Sequence, residues 1–150
     1  MFYYVLFVII IGVDQLTKAL VLRGLNLHQT VTVIPGVLSF TRINNPGAAF
    51  GILSHRTFFL TVMPLILFFL VFLFRKEIAR YPFPFRFGLV LSLGGAAGNL
   101  IDRLWNEGQV IDFIDLNFWP LDDFPLFNLA DTAIFTGAVI IFFSIARLRE

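Results

Sequence analysis

Two carboxylates, Asp131 and Asp112, are the strongest reactive candidates in this chain. Asp131 stands at the mouth of an apolar run, 132–146, of membrane-spanning character. A charged group there is costly unless it faces a protected, usually functional site. Asp112 lies upstream in Val110-Ile111-Asp112-Phe113. Two carboxylates held close together cannot both ionise cheaply, so one proton is shared. The ionised member can then take a proton from water as it attacks a peptide carbonyl. The protonated member can polarise that carbonyl and later protonate the leaving amine. If the fold brings the two together, the chain holds an aspartyl site inside or at the edge of a bilayer. Other chemistries have less support. The chain contains no cysteine, which excludes disulfides and thiolate chemistry. His28 and His55 stand far apart and match no zinc spacing. No metal and no cofactor are expected.

Such residues need a scaffold, and the composition describes one. The chain is 58% hydrophobic and 14% charged, with twenty phenylalanines among its 150 residues. Its mean hydropathy is +0.86. Ordinary globular chains are roughly 45–50% apolar and about 25% charged. A net charge of +1, with no basic stripe, gives no reason to expect a nucleic-acid partner. Four apolar segments recur, at about 2–22, 58–74, 87–105 and 129–146. Each is near the ~20 residues that cross the hydrocarbon as a helix. The first lacks a basic leader and a small-residue cleavage site, so it is read as a retained span rather than a signal peptide. Pro64 is a kink that neighbouring helices can accommodate. The region 25–53 contains two short strand-like runs, Thr30-Val31-Thr32-Val33-Ile34 and Val37-Leu38-Ser39-Phe40-Thr41. Pro35-Gly36 between them suits a type II turn. The expected fold is one all-α membrane domain over 1–150. It is a bundle of four transmembrane helices with a small extracytoplasmic β-sheet between helices 1 and 2.

Charge sets the orientation. Arg75, Lys76, Arg80 and Arg86 lie between the second and third spans, and Arg147 and Arg149 follow the fourth. The loop before the fourth span is acidic instead. The positive-inside rule puts both termini in the cytoplasm. Asp14 then lies roughly 20 Å along the first helix and Lys18 about 6 Å further. Asn99, Asp102 and Arg103 end the third span, Asn128 and Asp131 open the fourth, and Asp112 is in the outer loop. One topology brings every unusual polar residue to the outer side.

Plainer readings exist for each residue. Asp14 and Lys18, spaced i,i+4, suit a structural ion pair, or Lys18 can snorkel. Asn99 can pair with Asp102 and Arg103 along one helix face. Gly94 and Gly98 suit close helix contact. Asn128 suits a helix cap, with Asp131 favoured in the first turn by the helix dipole. Asp115, Asp122 and Asp123 read as solvated loop charges. At the level of the whole chain, a small channel or proton-translocating subunit is one rival, and a purely structural scaffold is another. The apolar inner halves of the spans argue against a through-route. The GxGD element of presenilin-type proteases is absent.

Five blocks, in order, resemble the bacterial lipoprotein signal peptidases (signal peptidase II). They are Asp14-Gln15-Leu16-Thr17-Lys18, Asn45-Pro46-Gly47-Ala48-Ala49-Phe50-Gly51 and Gly98-Asn99-Leu100-Ile101-Asp102-Arg103, then Val110-Ile111-Asp112-Phe113-Ile114-Asp115 and Phe127-Asn128-Leu129-Ala130-Asp131. The resemblance covers essentially the whole chain. It implies an aspartic endopeptidase of the bacterial inner membrane, with Asp112 and Asp131 catalytic. It implies that Asn45, Asn99, Arg103 and Asn128 surround them and hold the substrate backbone. It implies supporting, mainly structural roles for Asp14, Lys18, Gly47 and Asp102. The implied substrates are diacylglyceryl-modified prolipoproteins, cleaved before the lipidated cysteine, with the protein a monomer among membrane lipids. The outer sheet and the Asn45 loop are expected to close over the scissile bond as a lid.

Overall fold

The structure, a computed structural model, describes residues 1–47 and 56–148. Its element order is α1 (Phe2–Gly24), β1 (Thr30–Ile34), β2 (Leu38–Asn45), α2 (Thr57–Leu73), α3 (Arg75–Ile78), α4 (Phe83–Trp105), β3 (Val110–Leu116) and α5 (Leu129–Arg147). The four expected apolar helices are present, and α3 is a further short turn of helix in the basic connection. Two of them, α1 and α5, are long and apolar enough to cross a membrane. The 17-residue α2 is apolar but shorter, and Pro64 lies inside it without ending it. The third helix starts at Phe83, not Phe87, because Pro84 occupies its first turn. A proline there loses no helical hydrogen bond.

Polarity is inverted relative to a water-soluble domain. The largest fully buried side chains are Lys18, Asn128, Asp14 and Asp112, each under 2% or at 2% exposure. Phe58, Phe69, Phe135 and Phe142 are each more than half exposed. Such a surface is stable where the surrounding medium is itself apolar.

Helix α4 is the centre of the bundle, packed mainly against α5 and α1. Its glycines make both contacts close. Gly94 meets Ile10, and Gly98 meets the Asp14 carboxylate, on α1. The pair therefore serves helix contact, as its spacing suggests. On another face, Gly95 meets the backbone carbonyl of Ala130 on α5. A Cβ at either Gly95 or Gly98 would occupy space already filled.

The sheet departs from a two-stranded hairpin. It has three antiparallel strands in the order β1-β2-β3, and the third comes from between α4 and α5. The β1–β2 turn is as expected: Val37 donates to the Ile34 carbonyl at 3.0 Å, and Gly36 has φ +70°, as the third position of a type II turn requires. β2 runs on to Asn45 and pairs with β3, Ile43 opposite Asp112 and Asn45 opposite Val110. A register shift between Phe40 and Ile43 adds one residue to β2. Such a bulge re-aims the side chains beyond it. Along β3 the pleat separates two jobs. Ile111 and Phe113 pack with Val21 of α1, while Val110, Asp112 and Leu116 face a cavity.

Candidate active site

Asp112 sits in β3 rather than in a loop, and Asn45 is its diagonal cross-strand neighbour on the same face. Asn45 Nδ2 donates to Asp112 Oδ2 at 2.7 Å. Asn128 Nδ2 donates to Asp112 Oδ1, also at 2.7 Å. Burial pushes the Asp112 carboxyl up to about 7. The negative charge of Asp131 adds to that rise, while the bonds from Asn45 and Asn128 and the distant Lys18 ammonium oppose it. The net balance lets Asp112 hold a proton near neutral pH.

Asp131 enters from the first turn of α5. Asn128 is the N-cap and forms a reciprocal capping box with it. The Asp131 backbone N–H donates to Asn128 Oδ1 at 2.9 Å, and the Asn128 N–H donates to Asp131 Oδ2 at 3.2 Å. The other carboxylate oxygen, Oδ1, accepts from Asn99 Nδ2 at 2.8 Å. The capping reading of Asn128 is therefore correct, and it does not exclude a second task. The same side chain that caps α5 also binds Asp112. Asn128 bridges the two acids.

Both carboxylates open on one cavity of about 600 Å³. Asn45, Gly47, Asn99, Arg103, Asp112 and Asp131 form its polar end. Leu126, Phe127, Ile134, Phe135 and Ala138 continue it as an apolar wall. Arg103 Nη2 donates to the Gly47 carbonyl at 3.0 Å. Its buried Nε has no hydrogen-bond partner among the described residues. Gly47 N–H in turn donates to Asn45 Oδ1 at 2.8 Å.

Asp14, Lys18 and Asp102 lie behind this end, outside the cavity. Lys18 Nζ meets Asp14 Oδ2 at 2.9 Å and Asp102 Oδ2 at 2.8 Å, so the ion-pair reading of Asp14 and Lys18 holds and the snorkelling one does not. Both acids reach further. Asp14 Oδ1 accepts from the Ala130 N–H at 3.0 Å, a second cap on α5 supplied by α1. Asp102 Oδ2 accepts from the Ile111 N–H at 3.1 Å, next to Asp112. Asn99 does not pair with Asp102 or Arg103 as its helix spacing allows. It bonds across helices, to Lys18 and Asp131.

Sequence reasoning missed Gln15, which donates to Asp102 Oδ1 at 2.9 Å and to the Gly98 carbonyl at 3.1 Å. A polar side chain beside Asp14 in an apolar span was the available signal. Asp115 is a correction. It lies in β3, half-buried, and accepts from Thr41 at 2.9 Å and Asn117 at 3.1 Å. It is not a solvated loop charge. Asp122 and Asp123 are exposed.

Known proteins resemble this chain in fold and in sequence. A bacterial membrane enzyme determined by the in meso method at 2.3 Å resolution superposes with a TM-score of 0.88 and 32% identity, over 97% of this chain and 87% of that one. A second, at 1.9 Å, gives 0.83 and 32%, over 95% and 91%. The lipoprotein signal peptidase of Pelotomaculum thermopropionicum is 42% identical over 142 residues, 94% of this chain and 89% of that protein. That of Halalkalibacterium halodurans is 37% identical over 148 residues, 98% and 93%. The sequence model of the signal peptidase (SPase) II family matches residues 6–147. With the motifs matched from the first helix to the last, the chain belongs to the signal peptidase II family of peptidases.

Proposed function

We propose that this chain is an aspartic endopeptidase in which Asp112 and Asp131 are the catalytic pair. The observation that carries the reading is Asn128, whose side chain bonds Asp112 while its backbone and carbonyl oxygen bond Asp131. The pair holds one proton between its members. The ionised carboxylate takes a proton from water as the oxygen attacks the scissile carbonyl. The protonated one polarises that carbonyl, then passes its proton to the leaving amine. Asn45, Asn99 and Asn128 deliver N–H groups to the pair, and Arg103 offers its Nε, unpartnered among the described residues, to a substrate carbonyl.

The substrate reading follows from the cavity and the family. Its apolar wall, Leu126 and Phe127 continued on α5 by Ile134, Phe135 and Ala138, suits the hydrophobic helix of a signal peptide. Acyl chains attached beside the scissile bond remain in lipid. We therefore assign diacylglyceryl prolipoproteins as substrates, cut immediately before the lipidated cysteine. We place α1, α2, α4 and α5 across the inner membrane with both termini cytoplasmic, and the pair near the outer face of a monomer. The Asn45 end of the sheet, tied to α4 through Gly47 and Arg103, closes over the substrate. Part of that loop, 48–55, lies outside the described residues.

The test uses purified protein in lipid with a diacylglyceryl-modified precursor and its unlipidated form. Gel shift and product mass should show one cut that leaves the lipidated cysteine at the new N-terminus. Equal cleavage of the unlipidated precursor, or a cut elsewhere, contradicts the assignment.

A further inference from the structure

Three asparagines approach the two carboxylates, and an amide is useful there only if it presents its NH₂ end. Each carbonyl oxygen is held away from the acids by a group that can only donate. Asn45 Oδ1 accepts from the Gly47 N–H, and Asn128 Oδ1 accepts from the Asp131 N–H. For Asn99 the holding group is not backbone. Its Oδ1 accepts from Lys18 Nζ at 2.9 Å and shares the Asn128 NH₂ at 3.2 Å. An ammonium has three donors and no acceptor. All three are used, on Asp14, Asp102 and Asn99. Lys18 is 1% exposed, so water does not compete for them.

We propose that Lys18 is a positioning residue for catalysis: its ammonium fixes which end of the Asn99 amide faces Asp131, so that Asn99 always donates to the carboxylate. Without it, among the described residues only the 3.2 Å bond from Asn128 Nδ2 still holds that oxygen, and a turned amide would present its oxygen, which repels an ionised carboxylate and accepts from a protonated one. The distribution of the shared proton within the pair then changes. The charged groups around Asp131 among the described residues are Lys18 on α1, Arg103 on α4 and Asp112 on β3. Of these, Lys18 reaches the Asp131 carboxylate through the Asn99 amide, whereas the Asn128 amide links Asp112 to the Asp131 backbone N–H. The assignment rests on Asp131 being catalytic.

Two variants test it, with kcat, KM and Tm measured for each. Asn99→Asp keeps an oxygen for Lys18 and nearly the same shape but places a second oxygen against Asp131. It should fold with an unchanged Tm, lose at least 100-fold in kcat and keep KM within threefold. A kcat above one-tenth of wild type overturns the proposal. Lys18→Met keeps the length and removes the donor. It should lose at least tenfold in kcat alone but less than twofold when added to Asn99→Ala, because it acts through that amide. Losses that multiply in the double variant instead assign Lys18 a role in the fold only and overturn the proposal. If Lys18→Met does not yield folded protein, Asn99→Asp decides. Asp131→Asn is run alongside: if it stays active, the reading of the pair fails. If it is inactive while Asn99→Asp is active, only the orientation role fails.

Discussion

At the scale of residues, the site is a balance between burial, which favours neutral acids, and donors, which favour charged ones. Asp112 is ordinarily a carboxyl of 3.8 and is pushed up to about 7 in the fold. Between those values the folded chain binds a proton that the unfolded chain has released. The stabilisation is therefore complete below 3.8 and is lost as pH rises through about 7. The Tm of the wild-type protein should fall between pH 4 and pH 7 by more than that of Asp112→Asn, which has no proton to lose. Parallel slopes in a thermal scan would show that Asp112 is not perturbed. Ser39 gives a contrast. It is 5% exposed, donates to Asn117 Oδ1 at 2.7 Å and does not line the cavity. Ser39→Ala should cost about 1 kcal/mol of stability and leave kcat within twofold. A large loss of kcat would reopen serine chemistry. Ser54→Ala, in the same outer loop, is likewise expected to have little effect, and Ser54 lies outside the described residues.

At the scale of elements, α4 owes its central place to small residues on two faces. Gly98→Ala drives a methyl into the Asp14 carboxylate and should destabilise by about 1–3 kcal/mol. Gly12, on α1, has nothing within 4 Å of a built Cβ, so Gly12→Ala should be neutral or slightly stabilising. Equal Tm values for the two variants would contradict the packing of α1 on α4. The helices were legible in the sequence because their apolar runs are long. The start of α4 was not, because Pro82-Phe83-Pro84 reads as a break, although Pro84 fits a first turn. β3 was hidden for two reasons. Its carboxylates look like loop chemistry, and its partner β2 is distant in the chain, with Asn45 and Asp112 separated by 67 in sequence number. The site was legible as a set of candidate residues, since polar groups in apolar spans are conspicuous. Their pairing was not: helix spacing alone puts Asn99 beside Asp102 and Arg103, while tertiary packing joins it to Lys18 and Asp131.

At the scale of the whole molecule, a polar interior inside an apolar surface makes the bilayer part of the solvent. The proposed topology has a direct readout because the chain has no cysteine. Asp122 and Arg80 are exposed and lie in different connections. In intact cells with a permeabilised outer barrier, a membrane-impermeant maleimide should label Asp122→Cys and not Arg80→Cys. The reverse pattern would invert the orientation.

The shared-proton pair is the claim on which the chemistry depends. Asp112→Asn and Asp131→Asn, each purified, folded and in lipid, are measured against wild type for cleavage of a diacylglyceryl-modified prolipoprotein by gel shift. An acting pair predicts no product from either variant, a loss of at least 1,000-fold on the order expected when an acid–base group is removed. Cleavage at or near the wild-type rate by either one would contradict it.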